Sequence, residues 1–418
     1  MSVPQVERIA ANTLDDYRTV VGDKVIDELY QLSEPLRGRH LQHINSTRVG
    51  GGVAEILQRM VPLTSELGLE VGWDVIEGNP DFFHVTKSFH NALQGMEMSL
   101  TNSSYQAYLD TNRENATKVA LYGDVVFIHD PQPAALIDYM DIAKHRPVWR
   151  CHIDIARPNE SVWRFLLQYV CRYTAAIFSV PAFARELPLP QFIIAPSIDP
   201  LSDKNRPLPD EAVRRVLEKY NIDPTRPVLT QISRYDWFKD PLGVINAYKM
   251  VKRSYDCQLV LAGGGATDDP EGAQVLAAVQ EASTGDPDIH ILLLPAYSDL
   301  EINALQRGST IILQKSTKEG FGLTVTEGLW KGKPVIGGAV GGIPLQIIDG
   351  TNGYLVHSSE GAAFRIKYLL SHPEVITQMG KIGQEHVKHN FLLTRHIRDY
   401  LMVMLAVINP DQDIVYLR

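Results

Sequence analysis

The sequence predicts an α/β protein built from two Rossmann-like, doubly wound domains that face a cleft. The 418-residue length suits two domains of ordinary size. In both halves, short apolar runs alternate with segments of helix length, as expected for strands and helices that follow one another. A segment rich in Pro, Asp and Ser, residues 195–212, lies near the middle and is typical of a linker.

The second half carries the clearer strand pattern. Its apolar runs are 227–233, 257–263, 289–295, 309–314 and 333–338. Helix-length segments such as 241–254 and 272–283 separate them. Continuous apolar strands of this kind favour a parallel sheet that is covered on both faces. Ligands of such a domain bind at the carboxyl ends of the strands, so the loops that follow these runs are the candidate site.

The first half repeats the pattern with strand candidates at 40–46, 125–130, 147–154 and 175–180 and a helix at 53–67. We expect one Rossmann-like domain over 1–197 and a second over 198–388. The stretch 389–409 is predicted to be a long amphipathic helix, with a kink as an open alternative. With the rest of the segment 389–418, it should cross back to the N-terminal domain.

Composition excludes several classes of function. The net charge is −9, which disfavours a broad electrostatic contact with nucleic acid or anionic lipid. The N-terminus is too charged for a signal peptide, and no apolar run approaches the ~20 residues that span a bilayer. Three widely spaced cysteines form no zinc or disulfide pattern. We therefore expect a cytoplasmic protein with no nucleic-acid or membrane partner.

Two glutamates eight positions apart, Glu319 and Glu327, are the strongest candidate for chemistry. Glycines at 320 and 322 allow close backbone approach to a ligand, and a helix is predicted to begin just after them. The amides of Leu323 and Thr324 would then lie at the helix N-terminus, where an anion is stabilised. Glu327, one turn further along, can accept hydrogen bonds from vicinal hydroxyls. A solvated surface role remains the alternative for each glutamate taken singly.

A glycosidase is the competing interpretation of this pair. Its two carboxyl groups must flank one bond at a separation of about 5–10 Å. One carboxylate in a loop and one on the following helix better suit a sugar at one end and a ribose at the other, with phosphates between them. We therefore prefer a nucleotide-sugar site.

Two cations follow the strand 227–233, namely Arg234 and Lys239. At the carboxyl edge of a sheet they can neutralise a diphosphate, the guanidinium as a bidentate fork and the ammonium as a point charge. The alternative is a pair of surface bases beside Asp236 and Asp240.

The first half offers a glycine loop and polar strand ends. The glycine loop, which lies between a strand and a helix, comprises Gly50, Gly51 and Gly52. His129, Asp130, His152 and Asp154 end two strands and should cluster, where they can hydrogen-bond sugar hydroxyls or move a proton. A structural histidine is the alternative for His129 and His152. No tight His/Cys grouping suggests a metal.

Taken together, these motifs resemble the retaining glycosyltransferases of the GT-B fold, and they occur in that family's order over nearly the whole chain. The strings HDPQP (129–133), WRCHID (149–154), SRYDWFKDP (233–241) and EGFGLTVTEGLWKGKPVIGG (319–338) are most similar to trehalose-forming glycosyltransferring synthases and retaining trehalose phosphorylases. The resemblance implies transfer of glucose from a nucleoside diphosphate-glucose to free glucose, giving α,α-trehalose with retention, reversibly and without a metal or other cofactor.

The resemblance also implies roles for single residues. Arg234 and Lys239 would hold the diphosphate, Glu319 the hydroxyls of the donor glucose and Glu327 the ribose. His152 would touch the donor sugar near its 6-hydroxyl. The resemblance further implies donor contacts from the backbone at the positions Gly51, Gly52, Gly322, Leu323 and Thr324. Asp130 and Asp154 are candidates for orienting the acceptor.

The sequence also fits other functions than a nucleotide-sugar-dependent synthase. A trehalose phosphorylase would use inorganic phosphate with the same cations, and a sugar-nucleotide sensor would bind without transfer. A membrane glycosyltransferase with a lipid acceptor fits worse, because no basic amphipathic helix is evident. The expected partners are small molecules: the donor, glucose and trehalose. The assembly state is open, with a homodimer among the candidates.

Overall fold

The computed structural model describes residues 12–48, 52–264, 270–295 and 297–412. The chain divides into two compact units. The first comprises the chain up to Pro196 and again from Leu393, and the second runs from Ser197 to Leu392. The alternation of strands and helices predicted from the sequence is confirmed, because each unit contains a six-stranded, wholly parallel sheet among its described residues.

The sheet of the first unit has the strand order β2-β1-β3-β4-β5-β6. Its strands are β1 His40–Asn45, β2 Glu70–Val75, β3 Val125–His129, β4 Pro147–Cys151, β5 Ala175–Phe178 and β6 Gln191–Ile193. Its helices are α1 Leu14–Val21, α2 Asp23–Ser33, α3 Gly52–Glu66, α4 Pro80–Leu93, α5 Asn102–Lys118, α6 Ile142–His145, α7 Glu160–Val170 and, from the end of the chain, α16 Leu393–Ile408. The central strands β3, β4 and β5 are buried along their whole length, as apolar runs between two helical layers should be.

The sheet of the second unit has the strand order β12-β11-β10-β7-β8-β9. Its strands are β7 Val228–Ile232, β8 Gln258–Gly264, β9 Ile289–Leu294, β10 Ile311–Gln314, β11 Val335–Gly338 and β12 Gly353–Val356. Its helices are α8 Asp210–Lys219, α9 Pro241–Lys252, α10 Pro270–Ala282, α11 Asp299–Gly308, α12 Leu323–Trp330, α13 Ile343–Gln346, α14 Ser359–Ser371 and α15 Pro373–Asn390. The order changes direction between β10 and β7, which places the loops after these two strands at the topological switch point.

The prediction of one long helix over 389–409 is wrong. Helix α15 ends at Asn390 and α16 begins at Leu393. Between them, Phe391 leaves the helical conformation with φ −135°, and Leu392 forms a parallel bridge with Ile198. The apolar periodicity continues across the break because both flanking helices bury their own apolar faces, so it could not show the interruption. The second helix, α16, packs on α2 and α3 of the first unit.

A charge network lies at the amino edge of the second sheet, opposite the candidate site. Asp288, just before β9, binds Arg226 through Oδ1 at 2.7 Å and Lys252 through Oδ2 at 2.6 Å. The hydrogen bond from Arg226, followed by that from Lys252, holds the pKa of the Asp288 carboxyl well below its ordinary value. This network ties the segment before β7 to helix α9 and to the start of β9.

Within the described ranges, no helix is both long enough and apolar enough to cross a bilayer.

Candidate functional site

The loop that follows β10 begins the site in the second unit. It runs from Lys315 to Gly322, and α12 starts at Leu323. Gly322 precedes the helix with φ +81°, a left-handed conformation that glycine adopts without steric cost. The sequence prediction of a strand, a glycine loop and a helix start is thus correct to within one residue at the helix.

Glu319 is held in this loop by three donors on one oxygen. Its Oε2 accepts from Lys239 Nζ at 2.6 Å, from Gln314 Nε2 at 3.1 Å and from Ser316 Oγ at 3.1 Å. The Lys239 and Glu319 side chains are only 17% and 9% exposed. A short, largely desolvated ion pair with two further donors fixes the carboxylate in one orientation. The sequence predicts that Lys239 binds the diphosphate and Glu319 the donor sugar, whereas in the structure the two side chains bind each other directly.

Arg234, by contrast, leaves its guanidinium in solvent. It follows β7, its side chain is 73% exposed, and its nearest carboxylate is Asp236, at 3.7 Å. An exposed pair at this distance contributes little energy, so the guanidinium is available to an anion. A third cation, Lys315, is buried and ion-paired with Asp240. Asp240 also caps α9 by accepting from the Gly243 amide at 3.1 Å.

The loop after β11 clamps the glutamate loop through its own glycines. Gly341 has φ +56°, and a Cβ there would lie 1.9 Å from the carbonyl oxygen of Glu319. The Gly342 amide donates to the carbonyl of Gly320 at 2.7 Å. Gln346, fully buried in α13, donates to the carbonyl of Phe321 at 2.5 Å. The close backbone approach explains why glycines stand at both positions.

Glu327 lies inside α12 and is 6% exposed. Its Oε2 accepts from Gln306 Nε2 at 2.9 Å, and the described residues offer no donor to Oε1. One turn later, Lys331 Nζ donates to Asn205 Oδ1 at 2.9 Å. Burial lowers the pKa of Lys331 to about 7, although the nearby Glu327 charge partly opposes this shift. Glu327 is therefore a buried carboxylate with a neutral partner and one free oxygen.

The start of α12 is fixed to the neighbouring strand by the side chain of Thr324. The Thr324 hydroxyl donates to the carbonyl of Ile232, at the end of β7, over 3.2 Å. This bond fastens the start of α12 to the neighbouring strand. The amides of Leu323 and Thr324 belong to the first turn, where N–H groups have no partner inside a helix. Their role as donors to a ligand stays a prediction.

In the first unit, Asp130 and His152 lie side by side. Asp130 follows β3 with φ +66°, and its Oδ1 accepts from the His152 amide at 2.8 Å. Burial raises the pKa of Asp130 to about 6, with this amide and the Arg150 charge acting in the opposite direction. Asp154, predicted to join this cluster, makes no hydrogen bond to it among the described residues; its Oδ1 accepts from the Ala156 amide at 2.9 Å and closes a local turn. Gly52 is the first residue of α3, whereas Gly50 and Gly51 lie outside the described residues.

His152 also ends a chain of three histidine rings. His43 Nδ1 lies 3.0 Å from His129 Nε2, and His129 Nδ1 lies 3.0 Å from His152 Nε2. Burial is the main cause that lowers the pKa of all three, to about 3 for His43 and well below the ordinary value for His129 and His152. The rings are neutral at physiological pH. In the described residues, no group of His, Cys, Asp or Glu side chains has an arrangement that could hold a metal ion.

Sequence reasoning missed several residues that shape the two sites. They are His43, Asn205, Asp240, Gln306, Lys315, Lys331 and Gln346. Three of them, His43, Gln306 and Gln346, lie inside helices or strands whose sequence predicts only burial, and the other four lie in loops or at helix ends. The one available signal was a polar residue at a position where the pattern expects an apolar side chain, as for His43 in β1 and Gln346 in α13.

Comparison with known proteins places the chain in a family. Residues 43–185 match the family model described as the N-terminal domain of trehalose synthase, and residues 213–386 match that of glycosyl transferases group 1. A trehalose synthase of Pyrococcus horikoshii is 46% identical, with 94% of this chain and 95% of the relative covered. One of Rubrobacter xylanophilus is 42% identical, with 94% and 97% covered. A trehalose phosphorylase of Pleurotus pulmonarius is more distant, at 29% identity over 90% of this chain and 58% of that protein.

Solved structures support the fold. The UDP-forming α,α-trehalose-phosphate synthase of Burkholderia xenovorans superposes with a TM-score of 0.67 at 12% identity, covering 88% of this chain and all of that one. The sucrose-phosphate synthase of Thermosynechococcus elongatus gives 0.67 at 15% identity, covering 89% and all. At such identities the likeness shows the fold alone, and it confirms the GT-B prediction. Because the two trehalose synthases are at least 42% identical and are matched over at least 95% of their own length, the chain belongs to the trehalose synthase family of GT-B glycosyltransferases.

Proposed function

We propose that this glycosyltransferase moves glucose from a nucleoside diphosphate-glucose to the anomeric hydroxyl of free glucose, with retention, and releases α,α-trehalose and a nucleoside diphosphate. The observation that carries the proposal is the arrangement in the second unit. An exposed guanidinium, a lysine–glutamate pair and the first amides of α12 follow the adjacent strands β7 and β10. A diphosphate needs such a set of donors, and parallel strands offer it at their carboxyl edge.

The leaving group governs the proposed chemistry. As the bond between C1 of glucose and the phosphate oxygen breaks, negative charge grows on the phosphate. Arg234, which has no strong partner among the described residues, can turn to that charge, and Lys239 can share its ammonium between the phosphate and Glu319. Preorganised positive groups of this kind lower the barrier because they interact more strongly with the transition state than with the ground state.

Glu319 is poorly suited to act as a nucleophile. Three donors, one of them charged, stabilise the negative charge on its Oε2, which reduces the tendency of that oxygen to attack C1. In the proposed reaction the acceptor hydroxyl attacks C1 from the face that the phosphate leaves, and its proton passes to the departing phosphate oxygen. No protein nucleophile is needed, and Glu319 instead receives hydrogen bonds from donor-sugar hydroxyls.

The test is a substrate panel. Purified protein is offered nucleoside diphosphate-glucoses with free glucose, and the nucleoside diphosphate and the disaccharide are quantified, with the linkage read by NMR. Equal amounts of nucleoside diphosphate and α,α-trehalose support the proposal. Conversion of maltose to trehalose without any nucleotide, and no transfer from the panel, would refute it.

A phosphorylase is the second candidate, because a relative at 29% identity carries that name. Incubation with trehalose and inorganic phosphate distinguishes the two reactions, since a phosphorylase yields glucose phosphate without nucleotide. For the nucleotide reaction, Arg234→Ala should lose most turnover and Arg234→Lys should keep more, because a point charge replaces part of the fork's interaction with phosphate. Equal activity of Arg234→Ala and wild type would contradict the diphosphate role.

A further inference from the structure

The three rings of this histidine chain, His43, His129 and His152, lie on or directly after adjacent strands of the first unit. The sheet order places β1 beside β3 and β3 beside β4. His43 is paired with Phe127 of β3, so His129 lies two residues further along β3 than the partner of His43. His129 is itself paired with Arg150 of β4. His152 is two residues beyond Arg150. Because side chains alternate along a strand, all three rings fall on one face of the sheet and step toward its carboxyl edge.

The rings are close, and those of His129 and His152 are nearly parallel. The centroids of His43 and His129 are 5.3 Å apart with planes at 37°, and those of His129 and His152 are 5.3 Å apart at 15°. His43 is fully buried and His129 is 2% exposed, whereas His152 is partly accessible. The chain of rings thus has a buried end and an end that solvent or a ligand can reach.

Neutrality of the rings limits where their protons can be. Burial opposes protonation of all three rings, and the Arg150 cation lowers the pKa of His129 and His152 further. Three neutral imidazoles carry three N–H groups in total. Two of these must lie between the rings, one in each 3.0 Å contact. The third N–H is therefore either at His43 Nε2, the buried end, or at His152 Nδ1, the accessible end.

The buried end is the worse place for that N–H. His43 Nε2 is buried and has no hydrogen-bond partner among the described residues. Buried N–H groups without an acceptor are rarer in folded proteins than acceptors without a donor. His396 shows an analogous bare nitrogen: it donates Nδ1–H to the Ala195 carbonyl at 3.1 Å, and its buried Nε2 has no hydrogen-bond partner among the described residues. Both His43 and His396 pack on the ring of Tyr400.

We propose that His43 and His129 are positioning residues that hold His152 in the Nδ1–H tautomer, so that it presents a hydrogen-bond donor, and not an acceptor, at the carboxyl edge of the first sheet. His43 donates Nδ1–H to His129 Nε2, and His129 donates Nδ1–H to His152 Nε2. The ligand group is an oxygen acceptor on the donor sugar. That last identification rests on the proposed function, whereas the tautomer does not.

The tautomer is measured directly by long-range ¹⁵N–¹H NMR of protein labelled at histidine. Wild-type His152 should show a pyrrole-like Nδ1 and a pyridine-like Nε2. His129→Leu removes the donor to His152, which should then populate both tautomers. His129→Asn is the matched control, because its amide can still donate from near the Nδ1 position. His43→Phe keeps a ring against Phe127 and Tyr400, and it should loosen the tautomer at His152 although it touches no ligand.

Kinetics supply the second readout. In His129→Leu and His43→Phe, we expect KM for the nucleotide sugar to rise up to about tenfold, the factor expected for one hydrogen bond, with KM for glucose unchanged. His129→Asn should stay within about twofold of wild type. A structural defect would instead lower the melting temperature and affect both substrates.

The outcomes separate this inference from the proposed function. A wild-type His152 with its proton on Nε2, or a tautomer that is the same in wild type, His129→Leu and His43→Phe, would overturn the inference. A tautomer that shifts as predicted supports it even where no nucleotide sugar is turned over. In that case the lack of turnover counts against the proposed function alone.

Discussion

The ion pair between Lys239 and Glu319 should be measurable as an energetic coupling. In Lys239→Met, the carboxylate stays in place at 9% exposure and loses the contact at 2.6 Å, keeping only two neutral donors. Removing one partner of a buried pair costs about 3–5 kcal/mol, and the remaining donors reduce this to about 2–3 kcal/mol. Glu319→Gln leaves the more exposed lysine unpaired and should cost about 1–2 kcal/mol. The double variant should lose little more than Lys239→Met.

Thermal unfolding provides the assay. In a unit of about 200 residues, 1 kcal/mol corresponds to a shift of about 2–4 °C, so Lys239→Met should lower the melting temperature by about 4–12 °C. Lys219→Met is the control, because its pair with Glu301 is 3.3 Å long and 56% and 31% exposed. It should leave the melting temperature close to that of wild type. Strict additivity of the two site substitutions would refute the coupling, since independent residues show no interaction energy.

Three further predictions concern stability. Asp288→Asn should lower the urea midpoint at pH 7, and its difference from wild type should shrink at pH 3. The pKa of the Asp288 carboxyl is depressed in the folded state, so the carboxylate stabilises the fold above the unfolded pKa of about 4 and loses this contribution to stability as the pH falls. The free energy of unfolding of the wild type should contain a contribution that rises from pH 7 to 10. In this range the folded chain, where the pKa of Lys331 is about 7, releases a proton that the unfolded chain keeps. Lys331→Met should remove this contribution. Gly341→Ala should lower the free energy of unfolding by more than the ~1–3 kcal/mol of backbone strain alone, because its Cβ would meet the Glu319 carbonyl. Gly350→Ala is the control: Gly350 has φ +74° and a Cβ there would meet no atom within 4 Å, so this variant should show the strain alone. Equal melting temperatures for the two glycine variants would contradict the role assigned to the clamp.

The strands that the sequence predicted and those it missed differ in position. Every interior strand was predicted, because a strand between two neighbours and two helical layers needs a continuous apolar run. The missed strands are β2, β6 and β12, and each lies at an edge of its sheet. β2 is at most half-buried along its length, and β6 has three residues. Edge strands need less apolar sequence, so the pattern that marks interior strands is weak there.

The loops of the site could be predicted from the sequence, whereas the hydrogen-bond partners of its side chains could not. The glycine loop and the strand ends of the second unit follow from local sequence, because turn chemistry and apolar runs are local properties. The partners of Glu327 and Lys331 are Gln306 and Asn205, which lie 21 and 126 residues away in sequence. Such pairings are set by packing of the whole unit, and no local pattern records them. His43 was hidden for the same reason: one histidine inside β1 looks like a satisfied core residue until its ring is seen against His129.

The two glutamates that first indicated a site are not equivalent. Glu319 Oε2 receives a charged donor and two neutral ones, so this oxygen has little capacity left for a ligand. Glu327 receives a single neutral donor on Oε2, and Oε1 has no donor in the described part of the chain. Glu319 Oε1 likewise has no donor among the described residues, but the Glu319 carboxylate is already compensated by the Lys239 ammonium, whereas the hydrogen-bond donor to Glu327 is neutral. A ligand that brings hydroxyl groups adds more stabilisation at Glu327. Glu327 therefore has the stronger drive to bind vicinal hydroxyls such as those of a ribose. The effect of Glu319 on a ligand should instead depend on Lys239, whose charge the two groups must share.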